Sequence, residues 1–456
     1  MAATLRCRSR TDTGGPKIKM NVCPECFENT TLKRRLVEIR PGLPDDERCE
    51  IHPTRKAIPL DEVGKIVEPA LRNNYTIGEW MFDHQEGDDL YDVINGTTGA
   101  DDDRVINGLI GWLIDNDHYW PSDGEGAFFA EDQTYVPIRL DGWRHGALWR
   151  RFREAILHRQ RFFNDNAKEF LAEIFNGIQN QSDIDNKPAF YRLAPADDTT
   201  FYRARVVPNE DAFREIAKDT AGLMGPPPPS LRKAGRMNAA GIAVFYGATE
   251  KDTSVAEMRP AVGSLISLAA FRVHRPINVL DLTRFTRAGK QLDIFAKNQM
   301  VRATQWAFMQ SFASEISQPI LPGDEHLEYV PAQVVAEYLT STSVRWRGND
   351  VTPDAIIFRS AQREGGKNIA IMGDAALIHH PTPPDQKGDA KASRQADDFD
   401  FLDFASPLPA ASNAGIEYVE GSIELLQVGS AKYAVDTHYA SPVTGRDLPD
   451  LGEQDF

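Results

Sequence analysis

The first half of the chain carries its apolar residues at helical spacing. Val63, Ile66, Val67 and Leu71 fall on one face of a helix predicted over 61–73, and the pattern resumes at 89–94. Val105, Leu109, Leu113 and Ile114 mark another helix over 103–116. A longer stretch, 148–178, keeps Phe170, Leu171, Ile174 and Ile178 in phase and reads as one long helical segment. Polar residues 180–187, closed by Pro188, read as a linker. From Phe190 the period shortens. Strands are predicted at 201–207, 243–247, 265–273, 277–280, 355–359 and 369–372, with helices at 211–220, 252–258, 281–315 and 332–341. The four prolines at 226–229 impose a stiff, extended loop, because proline neither donates to a ladder nor continues a helix. Residues 416–426 and 432–437 alternate as a closing hairpin. Between them and the sheet, about 381–410, lies an acidic, proline-containing stretch around Asp397, Asp398 and Asp400, expected to be a disordered insertion.

These periods describe an α+β chain. The expected order is a disordered N-terminus (1–20), a zinc knuckle (21–59), a helical domain (60–182), a sheet-based domain (189–440) and a tail (441–456). A length of 456 residues suits two domains or more. No run approaches the ~20 apolar residues of a membrane span, and no apolar leader core follows the basic N-terminal residues. A cytoplasmic protein without a membrane partner is expected. The formal net charge of −16 argues against nucleic acid as the main partner. Arg144, Arg150, Arg151, Arg153, Arg159 and Arg161 do cluster, on a helix whose other face carries Trp149, Phe152, Ile156 and Phe163. They read as a solvated face balancing acidic neighbours.

Cysteine use is sparse but ordered. Cys23 and Cys26 have two residues between them, and so do Cys49 and His52. Two such pairs are how tight knuckles present sulfur and imidazole to one tetrahedral zinc. Four protein ligands would close the site and make it structural.

In the second half, alternation puts Arg203 and Arg205 on one face of the 201–207 strand and Tyr202 on the other. An inward arginine needs an anion, and its planar fork suits a pyrophosphate; an acid of the same domain would serve as well. Arg236 and Asn238 follow Gly235 in a turn whose backbone can approach a ligand closely, or which is only a tight connection. Tyr246, near its strand end, offers a ring for stacking or for packing. Glu257 is either a carboxylate for developing positive charge or a surface acid paired with Lys251 or Arg259. Ser360 follows the apolar Ile356, Ile357 and Phe358 at a strand end.

The ordered segments FYRAR at 201–205, GRMNAAGIAVFYGA at 235–248, AEMRP at 256–260 and IIFRS at 356–360, followed by GGKN at 365–368, resemble the RES family over roughly 189–439. That resemblance implies an ADP-ribosyltransferase-like fold and cleavage of the nicotinamide–ribose bond of NAD, by hydrolysis or phosphorolysis. It assigns Glu257 to the oxocarbenium-like ribose and Arg203 and Ser360 to NAD binding, with Arg236, Tyr246, Tyr202 and Asn238 as further contacts. It implies a toxin of a toxin–antitoxin or anti-phage system, forming homo-oligomers and restrained by an antitoxin or by its own N-terminal part. The alternative within the same resemblance is ADP-ribosylation of a protein. The N-terminal part resembles the zinc-knuckle, HEPN-like domains found ahead of some RES domains. There Arg153 and His158 match the loose arginine–histidine pattern of HEPN ribonucleases, a second possible activity; a zinc-stabilised interaction scaffold is a third reading.

Overall fold

The computed structural model describes residues 20–44, 46–117, 126–138, 141–320, 323–379 and 413–430. Its contacts divide the chain into two units. One comprises the chain up to Tyr191 together with Leu280–Ile316 and Val344–Asp350; the other comprises Arg192–Val279, Ser317–Ser343 and the chain from Val351. Two segments from within the span expected for the second domain thus pack with the first unit. The fold class is α+β, with a mixed sheet in the second half of the chain and mainly helices before it. The insertion expected at 381–410, both predicted tails and the 432–437 strand lie outside the described residues, apart from Met20.

In the first unit, strands Asn21–Val22 and Ile58–Pro59 pair antiparallel and bring the two halves of the cysteine–histidine motif together. Helix Thr30–Ile39 begins on Asn29, whose side chain accepts from the amides of Thr31 and Leu32. It buries Leu32 and Leu36 in the core shared with helix Leu60–Asn74 and helix Asp103–Asp115. The latter two approach closely: a Cβ on Gly64 would come within 2.3 Å of the Trp112 ring.

Two of the predicted helices are broken. The run at 148–178 resolves into helix Trp143–Glu154, a π-turn at Ala155–Arg159 and helix Asp165–Ile174. Phe163 adopts a left-handed backbone (φ 53°), and Asn164 then caps the next helix at the amide of Ala167. Hydrophobic phase alone did not register these stops. At 281–315 only Gln299–Glu315 is α-helical. Asp281 initiates a short 3₁₀ turn, Leu282–Thr286, and the Asp293 side chain ties the following stretch to Asn29 and to the amide of Phe295, which is fully buried.

The second sheet runs in the order Ile378–His379, Ile416–Tyr418, Leu265–Val273, Thr200–Val207, Val244–Ala248, Lys367–Met372, Ala355–Arg359, Ile277–Asp281, Phe190–Leu193. Ile416–Tyr418 and Glu424–Gln427 each pair with Leu265–Val273 rather than with each other, so the run expected at 416–426 forms two short strands on one long one. Leu265–Val273 and Thr200–Val207 are zipped from Leu265↔Val207 to Arg272↔Thr200. Thr200–Val207 and Val244–Ala248, by contrast, share a single pair, Ala248↔Tyr202. Beyond it the two strands part, and a cleft opens there.

Candidate functional site

The parting strands frame a cavity of about 910 Å³. Among the described residues, six arginines line it (Arg203, Arg205, Arg232, Arg236, Arg259 and Arg359), with Lys233, against two acids, Glu257 and Glu325. Such a concentration of positive charge in a chain of net charge −16 marks a site for an anion.

Arg203 projects into the gap one residue past the last strand pair. Its Nη1 donates to the Tyr246 carbonyl, 3.3 Å away, and its guanidinium lies 5.0 Å from the Phe245 ring centroid. That carbonyl is one the missing ladder leaves without a strand partner. No carboxylate pairs with Arg203 among the described residues. Burial, then the charge of Arg205, pushes its guanidinium down from the ordinary arginine value to about 9. Arg236 sits in a tight turn in which Gly235 and Asn238 exchange backbone hydrogen bonds. The turn is pinned from inside: Tyr246 donates its hydroxyl to Asn238 Oδ1 at 2.8 Å and accepts from the Met237 amide at 2.9 Å. Asn238 Nδ2 meanwhile donates to the carbonyls of Lys233, Ala239 and Ile242. Both side chains line the cavity, but their polar atoms are spent on holding the turn that presents Arg236. Arg236 lies over the Tyr329 ring and donates to the Gln318 carbonyl; burial lowers it and the charge of Glu257 acts against that.

Glu257 ends the short helix Lys251–Glu257, where a carboxylate faces the unfavourable end of the helix dipole. Two donors offset this, both on the same oxygen. Ser360 Oγ donates to Oε1 at 2.6 Å and Asn368 Nδ2 donates to it at 2.7 Å. Oε2 has no hydrogen bond among the described residues and is available to the cavity. Neither Lys251 nor Arg259 takes Glu257 as an ion-pair partner. Lys251 pairs with Glu424, and Arg259 lies against the Gln362 side-chain amide, whose oxygen accepts from it once that amide is turned over. Arg259 itself holds a left-handed backbone (φ 45°), a conformation that a long side chain adopts only when its surroundings compel it.

Two expected NAD contacts lie elsewhere. Tyr202 is not part of the cavity wall; strand alternation turns it to the opposite face, among Ala204, Ile266, Leu268 and Val255, with the Lys251 amine above its ring. Ser360 stands behind Glu257 rather than on the wall, and its hydroxyl also accepts from the amides of Gln362 and Arg363. Sequence reasoning passed over Asn368 although it closes the GGKN segment. Its register, opposite both Ala248 and Phe358, points it at Glu257, and that pairing is not visible from one sequence.

In the first unit, Cys23, Cys26, Cys49 and His52 converge, with all ligand atoms within 4.8 Å of one another. Sulfur–sulfur separations of 4.0 Å (Cys23–Cys26) and 3.5 Å (Cys26–Cys49) compare with the edge of about 3.8 Å expected for a tetrahedron with 2.3 Å zinc–sulfur bonds. His52 Nδ1 lies 3.5 Å from both Cys23 and Cys26. The amide of His52 donates to the Cys49 sulfur at 3.2 Å. The donor set therefore fits a divalent metal. The arginine of the HEPN-like pattern is engaged otherwise: Arg153 pairs with Glu315 at 3.0 Å, beside the Trp149 indole bonded to the same carboxylate, while His158 is exposed.

Among the described residues no helix is long and apolar enough to cross a membrane. Comparison with curated proteins and with solved structures returned no match. Against family profiles, residues 200–392 match the RES domain. That span contains the parted strands, the Arg236 turn, Glu257 and the Ser360–Asn368 pair. Residues 200–392 thus form a RES domain.

Proposed function

We propose that this RES domain cleaves the nicotinamide–ribose bond of NAD, with Glu257 as the catalytic carboxylate and Arg203 and Arg236 as the pyrophosphate clamp. The observation that carries the reading is a carboxylate with one oxygen tied down and one free, on the wall of a cavity whose half-buried Arg203 has no acid partner among the described residues. As the C1′–N bond breaks, its electron pair passes to the pyridine ring, which leaves neutral and needs no proton. The ribose then carries oxocarbenium character, and Glu257 Oε2 provides the opposing charge. Water adds to C1′ and releases its proton to solvent, leaving ADP-ribose. Ser360 and Asn368 act through Glu257, fixing the carboxylate so that no reorientation is needed during the reaction. A role as a bacterial toxin or defence effector follows from the same chemistry, since loss of NAD arrests a cell.

The decisive experiment incubates purified full-length protein with NAD and measures free nicotinamide. Release is expected, with a loss of about 10²-fold or more in Glu257→Gln. Intact NAD with wild-type protein overturns the reading. ADP-ribose found on a protein would make that protein, rather than water, the acceptor.

We also infer that Cys23, Cys26, Cys49 and His52 hold a structural zinc. All four positions are taken by protein ligands, and the three thiols are buried. Bound zinc would supply the positive charge that buried thiolates require. Without such a charge, burial raises the Cys23 and Cys26 thiols above their usual range.

A further inference from the structure

The cavity holds more positive charge than a pyrophosphate uses. Arg205 Nη2 donates to the Gly225 carbonyl at 2.8 Å, and Arg232 Nε donates to the Pro227 carbonyl at 2.8 Å, with its Nη1 on the Gly241 carbonyl at 3.2 Å. Carbonyls two residues apart thus gather two guanidinium groups at one stretch of wall, stiffened by the prolines that follow Gly225. Neither arginine has a carboxylate partner among the described residues. Lys233, next in the chain and exposed, lines the same wall. Like charges held together by neutral carbonyls repel each other, and an anion placed between them relieves that repulsion. Burial also lowers the Arg205 guanidinium from its ordinary value.

Position decides which anion. Asn368, which holds Glu257, is level with Ala248 and so with Tyr202. Arg203 lies one residue along the strand from that level and Arg205 three, about 3 Å and 10 Å at the usual strand rise. A phosphate acting as acceptor must reach C1′ beside Glu257, so it belongs at the near end. An anion at Arg205 lies beyond the pyrophosphate, toward the second ribose of a dinucleotide.

We propose that Arg205, Arg232 and Lys233 form a phosphomonoester subsite for the 2′-phosphate of NADP, which makes NADP the preferred dinucleotide of this cavity. The proposal rests on the assignment of Glu257 and Arg203 above. Binding can nonetheless be tested apart from cleavage, by titrating NAD and NADP into full-length Glu257→Gln protein by calorimetry. NADP is expected to bind at least about tenfold more tightly. Arg205→Met and, separately, Arg232→Met should bring the NADP-to-NAD affinity ratio close to one. Equal affinities in the parent protein overturn the proposal. So does a fall in both affinities by the same factor, because that places Arg205 on the pyrophosphate. Inorganic phosphate that accelerates wild-type NAD cleavage, with the acceleration lost in Arg205→Met, also overturns it, by placing an acceptor there. Preference for NADP without nicotinamide release from wild type sinks the cleavage reading and leaves the subsite standing.

Discussion

Arg203 is costly to the empty protein. Its charge sits on the cavity wall, solvated by one carbonyl and one ring face, with another arginine two residues away. A bound anion would reverse that cost. Replacing Arg203 with methionine should therefore raise the melting temperature of the ligand-free protein and abolish the further rise that NAD gives wild type. A drop in both would make Arg203 a structural residue.

At the scale of elements, the site depends on a turn, a helix end and two strands that separate. The Gly235–Asn238 turn leaves no room for change. A Cβ on Gly235 would lie 2.7 Å from both Asn238 Oδ1 and the Tyr246 hydroxyl. Gly235→Ala should cost roughly 1–3 kcal/mol by overpacking and displace Arg236, raising KM for the dinucleotide well beyond any change in kcat. An unchanged KM would detach the turn from binding. Much of this architecture was legible in the sequence. The 265–273 strand appears with its predicted bounds, and strands Thr200–Val207 and Val244–Ala248 and helix Lys251–Glu257 fall within about a residue of theirs. Period and turn residues are local signals, and these elements are set locally. The parting of the two strands after Ala248↔Tyr202 is a tertiary event that no local pattern records. The same holds for Ser360 and Asn368 meeting on one oxygen of Glu257, which lies more than a hundred residues earlier in the chain. The stops inside 148–178 and 281–315 escaped for a different reason. Single residues made them, a left-handed Phe163 before the Asn164 cap and an Asp281 cap, while the apolar phase ran on undisturbed.

At the scale of the molecule, the two units draw stability from different sources. The RES unit has a long central strand zipped along its length and a continuous sheet core. In the first unit, Val22, Cys23, Cys26 and Phe27 are part of the same buried cluster as helices Thr30–Ile39, Leu60–Asn74 and Asp103–Asp115. The knuckle is therefore a wall of that core, and its geometry depends on three thiols and an imidazole staying within about a bond's reach of one centre. A metal that binds only this folded arrangement adds its binding free energy to folding. Elemental analysis of purified protein should find one zinc per chain, and Cys26→Ser should lose it. A strong chelator should lower the melting temperature of the wild type and expose apolar surface to a hydrophobic dye, and added zinc should restore both. Chelation of Cys26→Ser protein should then have little further effect, since the centre is already broken. Zinc-free protein with an unchanged melting curve would show that packing alone closes the wall.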